Sequence, residues 1–414
     1  MKILMANKYF FLKGGSEYAF FDTVDLLRKH GHQTMFFSMR HPSNLKSDYE
    51  RYFVSEVDFD RMGAAQKLAS TLRILYSLEA RRKMLGLVKD EHPDVAHLNN
   101  IYHQLSPSII HSLKKNHIPV VMTLHDFKMI CPAYALTCKG RVCEKCKGQR
   151  FYNCFLNSCV KDSRAKSLVT SFEMYLHHRI MHIYDLVDVF IAPSRFLQKK
   201  LKEMGFKGTV VYLPNFIDLK AFKPQFGGEQ DSIVYFGRLA QGKGLESLLD
   251  AVNRLPEVKL SIIGDGPEKF RLMAKAVNLN MANVEFKGYI AGKDLWREIQ
   301  KARFVVMPAE NVENNPRSVI EAFALGKPVV ATQAGGIAEL VKHGQTGLVY
   351  RAGDSLDLAE KISTLIKDHR LIKAMGRNAR ALVEAQFSAE NHYQQLIAIY
   401  AEAMQKNAAA YKHN

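Results

Sequence analysis

Residues 304–332 read FVVMPAENVENNPRSVIEAFALGKPVVAT, and this stretch shows how the chain is built. Its two apolar runs, 304–308 and 328–332, have the length and the valine content of buried strands. Between them we expect a polar loop and then a helix that opens at Glu321, with seven residues separating Glu321 from Glu313. Strand, helix and strand in this order predict two parallel strands joined by a crossover helix.

The same alternation of apolar runs and helix-length segments extends in both directions along the chain. A polar, glycine-containing stretch at 224–231 is the best linker candidate, so we place a domain boundary within 215–232. We therefore predict an α/β protein with two Rossmann-like doubly wound domains, 1–215 and 216–385, and a C-terminal helix and tail at 386–414 that crosses back to the first domain. The predicted strands lie at 2–7, 33–38, 94–99, 119–126, 187–194, 209–216, 233–236, 259–264, 284–289, 304–308, 328–332 and 347–350.

The composition is that of a soluble globular protein. Of the 414 residues, 47% are hydrophobic and 24% are charged, which excludes a disordered chain. No apolar run approaches the roughly 18 residues of a membrane-spanning helix. The N-terminal segment is too quickly polar for a secretory signal, so we expect a cytoplasmic protein.

The net charge is strongly positive and unevenly distributed. The chain has 58 Lys and Arg against 41 Asp and Glu, a formal charge of +17, and residues 101–200 alone carry 15 basic and 6 acidic side chains. A basic half of this kind indicates a polyanionic partner, namely nucleic acid, anionic lipid or a phosphorylated substrate. Composition does not choose among the three.

All six cysteines fall within residues 131–159, with the spacing C-x6-C-x4-C-x2-C-x7-C-x4-C. A cluster of this kind in a cytosolic protein favours metal ligands over disulfides. A structural zinc site would take Cys138, Cys143, Cys146 and either Cys154 or Cys159. An iron–sulfur site, free thiols on a loop and disulfides remain as alternatives.

Two groups of residues follow predicted strands of the second half, where doubly wound sheets bind their ligands. Arg238 and Lys243 come just after the first of these strands and before a helix, so they are candidates for a diphosphate clamp or for solvated charges on a loop. Glu313 and Glu321 are candidates to accept hydrogen bonds from sugar hydroxyls. The alternative is that both are ordinary surface or helix-start acids.

The stretch from Glu313 to Glu321 resembles the E-x7-E motif of retaining glycosyltransferases of family 4, which have the GT-B fold. Other motifs of this family occur in the same order, and together they cover the chain from the first strand to about Tyr350. These motifs include Gly14-Gly15-Ser16-Glu17, Thr123-Leu124-His125-Asp126, Pro214-Asn215-Phe216-Ile217-Asp218, Gly237-Arg238-Leu239 with Lys243-Gly244, Gly264-Asp265-Gly266-Pro267 and Gly335-Gly336-Ile337-Ala338-Glu339.

The resemblance implies two domains that face a cleft, with the acceptor in the first and the donor in the second. The cysteine-rich insertion 131–159 then belongs to the acceptor domain, and cysteine-bearing insertions occur at this point in some similar members. By matching position, the resemblance implies that Arg238 and Lys243 bind the donor diphosphate, Glu321 the ribose, and Glu313 and His125 the transferred sugar. The remaining donor-site positions are Gly14, Gly15, Gly237, Gly266, Asn314, Asn315 and Pro316.

The resemblance also implies the chemistry. The expected donor is a UDP-sugar or GDP-sugar, the acceptor is a saccharide or lipid-linked saccharide of cell-surface polysaccharide, lipopolysaccharide or glycolipid synthesis, and no metal is required for catalysis. The basic first half then fits an anionic acceptor or the inner membrane surface, with no nucleic-acid partner. Two alternatives are a nucleotide-sugar 2-epimerase of the same fold and a basic nucleic-acid-binding protein.

Overall fold

The structure is a computed structural model that describes residues 1–56, 73–227 and 231–412. The described chain divides into two compact units. The first unit consists of Met1–Lys139, Cys143–Pro214 and Glu390–Asn414, and the second of Gly140–Val142 and Asn215–Ala389.

The first unit is built on a parallel sheet, which has six strands among the described residues. Its central strands are almost completely buried, as expected for a parallel sheet covered on both faces, whereas the edge strand Val210–Tyr212 is partly exposed. The spatial order is Gln33–Phe37, Lys2–Ala6, Val95–Asn99, Val120–Thr123, Val189–Ala192 and Val210–Tyr212. Its α-helices are Gly15–Lys29, Leu78–Glu91, Ser108–Lys115, Tyr152–Leu156, Arg164–Tyr175, Arg195–Glu203 and Ala389–Lys412.

The second unit repeats this plan, again with six parallel strands in the part of the chain that is described. The spatial order is Val284–Gly288, Lys259–Ile263, Ser232–Phe236, Phe304–Met307, Val329–Ala331 and Gly347–Val349. Its α-helices are Leu245–Val252, Lys269–Asn278, Gly292–Lys301, Arg317–Ala324, Ile337–Leu340, Ser355–Lys367 and His369–Gln386. The predicted pair of doubly wound sheets is confirmed.

The strand order of the second unit reverses beside Ser232–Phe236. The next strand along the chain, Lys259–Ile263, pairs on one side of it, whereas Phe304–Met307 pairs on the other. Loops that leave the carboxyl ends of these strands diverge, and the gap between them is where open α/β sheets bind ligands. The residues after Phe236 and after Met307 therefore lie at the expected ligand position of this unit.

The C-terminal helix Ala389–Lys412 packs in the first unit, as predicted. Leu396, Tyr400 and Ala403 are buried in the same apolar cluster as strand residues of the sheet. The Tyr400 hydroxyl lies 2.8 Å from His97 Nδ1, and Asn407 Nδ2 donates to the His117 carbonyl at 2.7 Å. No helix among the described residues is both long enough and apolar enough to cross a membrane.

One predicted boundary is wrong. The helix of the opening stretch begins at Arg317, with Pro316 at its N-cap, rather than at Glu321. Proline is well tolerated at the start of a helix because its missing N–H has no intrahelical partner there. Glu321 therefore lies in the second turn of the helix, where a residue four positions earlier can pair with it.

Candidate functional site

The loop after strand Ser232–Phe236 begins at Gly237 and packs closely on the loop that contains Gly266. Leu239 N donates to the Asp265 carbonyl at 2.9 Å, and Glu268 N donates to the Leu239 carbonyl at 3.0 Å. Gly266 has a φ of 158°, and a Cβ there would lie 2.2 Å from the Leu239 carbonyl oxygen. Only glycine allows the two loops to approach this closely.

Arg238 projects from this loop at the surface of the second unit. The buried Tyr235 hydroxyl donates to the Arg238 carbonyl at 3.0 Å, which holds the backbone there, and the Arg238 side chain is exposed at the carboxyl edge of the sheet. A guanidinium offers a planar fork of donors that matches a phosphate group. Arg238 is therefore placed for anion binding.

Lys243 and Glu313 meet at the point where the strand order reverses. Lys243 Nζ lies 2.5 Å from Glu313 Oε1, and the two side chains are 31% and 20% exposed. Gly242 accepts hydrogen bonds from the backbone of Glu310 at 2.9 Å and of Asn311 at 3.0 Å, so the two loops are held together by their main chains. A flexible cation and a carboxylate are thus both available to a ligand at the sheet edge.

The backbone around Glu313 is fixed by its close contact with Gly336. The Glu313 carbonyl accepts a hydrogen bond from Gly336 N at 2.7 Å, and a Cβ at Gly336 would lie 1.8 Å from the Asn314 carbonyl oxygen. Asn314 is buried, and the neighbouring Asn315 accepts a hydrogen bond from Asn215 Nδ2 at 3.1 Å. The segment from Glu313 to Pro316 is therefore a rigid turn that leads into the helix.

Glu321 is oriented by a residue that the sequence reasoning missed. Arg317 Nε donates to Glu321 Oε1 at 2.7 Å, and both side chains are mostly buried. The i,i+4 spacing of an arginine and a glutamate on one helix is a signal that could have identified this pair. Arg317 holds the carboxylate in one rotamer, so Glu321 is pre-oriented for hydrogen bonding to a hydroxyl.

His125 lies in the first unit, two residues beyond the strand Val120–Thr123. Its Nε2 is 2.8 Å from Asn99 Oδ1, a contact that the sequence did not reveal. Burial lowers the pKa of His125 to about 4 and raises that of the adjacent Asp126 to about 6. The imidazole is therefore neutral at physiological pH and can donate a hydrogen bond. Its contact with a sugar stays a prediction.

Gly14 and Gly15 start the first helix of this unit. Gly14 is the N-cap, in an extended conformation that any residue can adopt, and there is open space around the position that a Gly15 Cβ would occupy. Neither glycine is demanded by packing within the chain. Their role in the approach of backbone to a diphosphate therefore stays a prediction.

The cysteine segment holds free thiols. All six cysteines, each within the described part of the chain, are unpaired. The thiols of Cys154 and Cys159 share a hydrogen bond, which lowers the pKa of Cys154 and raises that of Cys159, and Cys159 also contacts Cys138. Burial raises the pKa of Cys146 to about 12. Cys143 is partly exposed.

The structure does not confirm the predicted zinc site. Among the described residues, no group of three or more His, Cys, Asp or Glu side chains is placed to hold a metal ion. A structural zinc site needs four ligand atoms that converge on one point, and the contacts among Cys138, Cys154 and Cys159 do not supply such a set. The zinc hypothesis stays a prediction that metal analysis of the purified protein can test.

Sequence models of two known families match this chain. Residues 13–221 match the sequence model of the family described as Glycosyltransferase Family 4, and residues 216–382 that of Glycosyl transferases group 1. Sulfoquinovosyl transferase SQD2 of Arabidopsis thaliana is 30% identical over 222 residues, which cover 50% of this chain and 43% of that protein. This chain therefore matches less than half the length of that relative.

Two other proteins are similar over nearly the whole chain. N-acetyl-alpha-D-glucosaminyl L-malate synthase of Bacillus anthracis is 24% identical over 398 residues, which cover 94% of each protein. The crystal structure of HepE from Anabaena in complex with UDP superposes with a TM-score of 0.69 at 20% identity, covering 97% of this chain and 100% of that chain. At this identity the likeness establishes the fold, which is GT-B.

The family 4 sequence model spans just over half of the chain, and the group 1 model matches the part that follows, with a short overlap at residues 216–221. The two doubly wound units agree with the fold of the solved neighbours. This chain belongs to glycosyltransferase family 4.

Proposed function

We propose that this protein is a retaining glycosyltransferase that moves a sugar from a UDP-sugar or GDP-sugar to a saccharide or lipid-linked saccharide. The observation that carries the proposal is the contact of 2.5 Å between Lys243 Nζ and Glu313 Oε1, beside the exposed Arg238. The loops that carry Lys243 and Glu313 leave neighbouring strands at the strand-order reversal of the second unit, and this supports the proposal because doubly wound sheets bind nucleotides there.

In this proposal Arg238 and Lys243 bind the donor diphosphate. Negative charge grows on the diphosphate as the anomeric bond breaks, so cations fixed nearby stabilise the transition state more than the ground state. Arg238 supplies paired donors, and Lys243 supplies a mobile point charge. When the diphosphate binds, it competes with Glu313 for Lys243.

The carboxylates bind the two sugar rings of the donor. Glu321, held by Arg317 at 2.7 Å, accepts hydrogen bonds from the ribose hydroxyls. Glu313, released by Lys243, accepts them from the transferred sugar, and the rigid turn through Asn314, Asn315 and Pro316 fixes its position. Gly237 and Gly266 allow the backbone to approach the nucleotide without a Cβ in the way.

The reaction balances without a further reactant. The bond between the anomeric carbon and the diphosphate oxygen breaks, and a bond from that carbon to the acceptor oxygen forms on the same face. The acceptor proton passes to the departing phosphate oxygen, and the products are the glycoside and the nucleoside diphosphate. The basic first unit supports an acceptor with negative charge, as in a lipid-linked saccharide.

A thermal-shift screen of the full chain against UDP- and GDP-sugars tests the donor site. A bound donor at about 100 times its Kd stabilises the protein by about 2.7 kcal/mol. Arg238→Ala and Glu321→Ala should abolish the shift, whereas Lys293→Ala, an exposed lysine elsewhere in the second unit, should retain it. If no nucleotide sugar raises the melting temperature, or if both site variants keep the full shift, the proposed donor site is wrong.

Product analysis separates the alternatives. A transferase releases nucleoside diphosphate and a glycoside, whereas a 2-epimerase returns a changed nucleotide sugar. Polynucleotide binding that weakens steeply with salt, without any nucleotide-sugar binding, would instead support the nucleic-acid alternative.

A further inference from the structure

Two adjacent helices of the cysteine-rich region expose apolar side chains. Tyr152 and Leu156 are 48% and 63% exposed on the helix Tyr152–Leu156, and Leu168 and Phe172 are 52% and 50% exposed on the helix Arg164–Tyr175. Each pair is separated by four positions, so each pair lies on one face of its helix. The two helices pack against each other. Four large apolar side chains on two packed helices are therefore exposed.

The packing on the opposite faces fixes the orientation of this surface. Ser171 Oγ donates to the Phe151 carbonyl at 3.0 Å, and Cys154 and Met174 are almost completely buried. The buried Glu173 forms an ion pair of 2.8 Å with Lys128, which is also fully buried. Rotating either helix to bury its apolar pair would break these contacts. The exposed apolar side chains are therefore a fixed feature of the folded protein.

The surface also carries an excess of positive charge. Between residues 143 and 180 the sequence has seven basic and three acidic side chains. Two of the three acids are neutralised within the fold, since Glu173 pairs with Lys128 and Glu144 with Lys200 at 2.7 Å. Lys161, Arg164 and Lys166 are exposed around the start of the longer helix. The third acid, Asp162, is exposed beside Lys161, so the charge available to a partner has a positive excess.

A helix of the second unit also exposes apolar side chains, but it has no excess of positive charge. On the helix Lys269–Asn278, Phe270 and Val277 are 80% and 74% exposed. Its basic residues are matched by acids, however: Lys275 lies 2.7 Å from Asp250, and Arg271 pairs with Glu246 and Glu268. This helix is an internal control with apolar exposure but without excess charge.

We propose that the first of these surfaces docks the protein on a bilayer that contains anionic lipids. Apolar side chains would enter the boundary between headgroups and acyl chains, and the surrounding lysines and arginine would contact the lipid phosphates. The partner is a lipid bilayer because the exposed apolar side chains match its acyl interior and the basic side chains match its anionic headgroups. We call this the lipid-facing surface, defined by Leu156, Leu168, Phe172, Lys161, Arg164 and Lys166.

The inference goes beyond the transfer reaction, because binding to a bilayer requires neither donor nor acceptor. It also differs from the prediction made from net charge, because it assigns the contact to particular side chains. The reacting groups proposed above do not belong to this surface. Loss of bilayer binding should therefore leave the thermal shift produced by nucleotide sugars intact.

Vesicle co-sedimentation of the full chain tests the proposal. We expect binding to vesicles of phosphatidylcholine with phosphatidylglycerol at low salt, and much weaker binding to phosphatidylcholine alone or at high salt. Leu168→Ser/Phe172→Ser should weaken binding at least about tenfold, since each half-buried side chain contributes on the order of 1 kcal/mol. Lys161→Ala/Lys166→Ala should weaken it about 25-fold, at about fivefold for each lysine near the lipid.

Matched variants on the second unit provide the controls. Phe270→Ser/Val277→Ser and Lys293→Ala/Lys367→Ala remove the same kinds of side chain from other exposed positions and should leave vesicle binding unchanged. The proposal is overturned if the wild-type chain ignores anionic vesicles at low salt, or if the control pairs weaken binding as much as the test pairs. It is also overturned if Leu168→Ser/Phe172→Ser abolishes self-association instead, because the surface would then bind a second copy.

Discussion

Lys243 and Glu313 are 70 positions apart in the sequence, yet Nζ of the lysine lies 2.5 Å from Oε1 of the glutamate. The contact joins the loops that leave two neighbouring strands at the strand-order reversal. A partly exposed ion pair of this kind contributes about 1 kcal/mol or less to stability. The pair therefore matters less for stability than for ligand binding. In the proposed function, Lys243 turns to the diphosphate and Glu313 becomes available to the transferred sugar.

Glu313→Gln should separate the binding of the diphosphate from the transfer of the sugar. The substitution releases Lys243, so nucleoside diphosphate should bind at least as tightly as in the wild type. Sugar transfer should fall about 10- to 100-fold, which is the effect of losing a hydrogen bond to a charged group. Calorimetry with UDP and GDP, together with steady-state kinetics, measures both quantities.

Glu310→Gln is the control for this variant, because Glu310 lies in the same loop and bonds to Ser247 at 2.7 Å. It should leave transfer nearly unchanged. Weaker nucleoside diphosphate binding by Glu313→Gln would contradict competition for Lys243.

Arg317→Ala should impair the donor site through Glu321. Without the contact of 2.7 Å from Arg317 Nε, the carboxylate samples other rotamers, and the KM for the donor should rise about tenfold with a smaller change in kcat. Arg317→Lys should restore part of the loss. Arg297→Ala removes an exposed intrahelical pair with Asp294, away from the proposed site, and should have no effect on either constant. An equal loss of kcat in Arg317→Ala and Arg317→Lys would argue against a positioning role.

Gly244→Ala should destabilise the second unit. Gly244 has a φ of 70°, and its Cβ would lie 1.8 Å from the Pro308 carbonyl oxygen, so both strain and a clash result. We expect a loss of about 3 kcal/mol in the free energy of unfolding, measured by denaturant titration. Gly344→Ala has a similar φ of 77° in open space and should cost only about 1 kcal/mol. Equal losses in the two variants would show that the close approach of the loops is not rigid.

The first unit should lose stability as the pH falls. Burial lowers the pKa of His97 and His178 to about 3 and of His125 and His392 to about 4. Their usual value near 6.5 applies in the unfolded chain, which therefore binds more protons than the folded chain between pH 6.5 and 4. The folded state is destabilised over this range, by up to about 1.4 kcal/mol per pH unit for each histidine.

Asp126 acts in the opposite direction, because burial raises its pKa to about 6 and its protonation between pH 6 and 4 favours the folded state. The stability that Asp126 gains as the pH falls offsets about as much as one of the four histidines loses. Thermal denaturation between pH 7 and 4 measures the net slope. His97→Gln removes one buried imidazole and should make the slope shallower. An unchanged slope would contradict the claim that buried His97 contributes to the loss of stability at low pH.

The fold and most of the candidate donor positions could be predicted from the sequence because they depend on local patterns. Apolar runs of strand length, alternating with helix-length segments, are sufficient to specify parallel sheets. The strand-to-loop transitions then place Arg238, Lys243 and Glu313 at one edge of the sheet. The helix starts at Arg317 rather than at the predicted Glu321 because Pro316, a common helix-start residue, lies directly before it.

The pairings within the site were much harder to predict. His125 with Asn99, and the packing of Gly266 against Leu239, join residues whose strands are neighbours only after the sheet has formed. The arrangement of the cysteines is another case, because their spacing does not reveal that the fold brings Cys154 and Cys159 into mutual contact. Spacing along the chain does not determine the direction of a side chain.

By itself, the sequence determined that this protein has two doubly wound α/β units with family 4 motifs at their strand ends, because periodicity and motif order are properties of the chain. Only the tertiary structure decided that Lys243 is held by Glu313, that Arg317 orients Glu321, and that Leu168 and Phe172 stay exposed. The physical reason is that each of these facts depends on distances between segments far apart in sequence. Those distances are fixed only when strand order and helix packing bring the segments together.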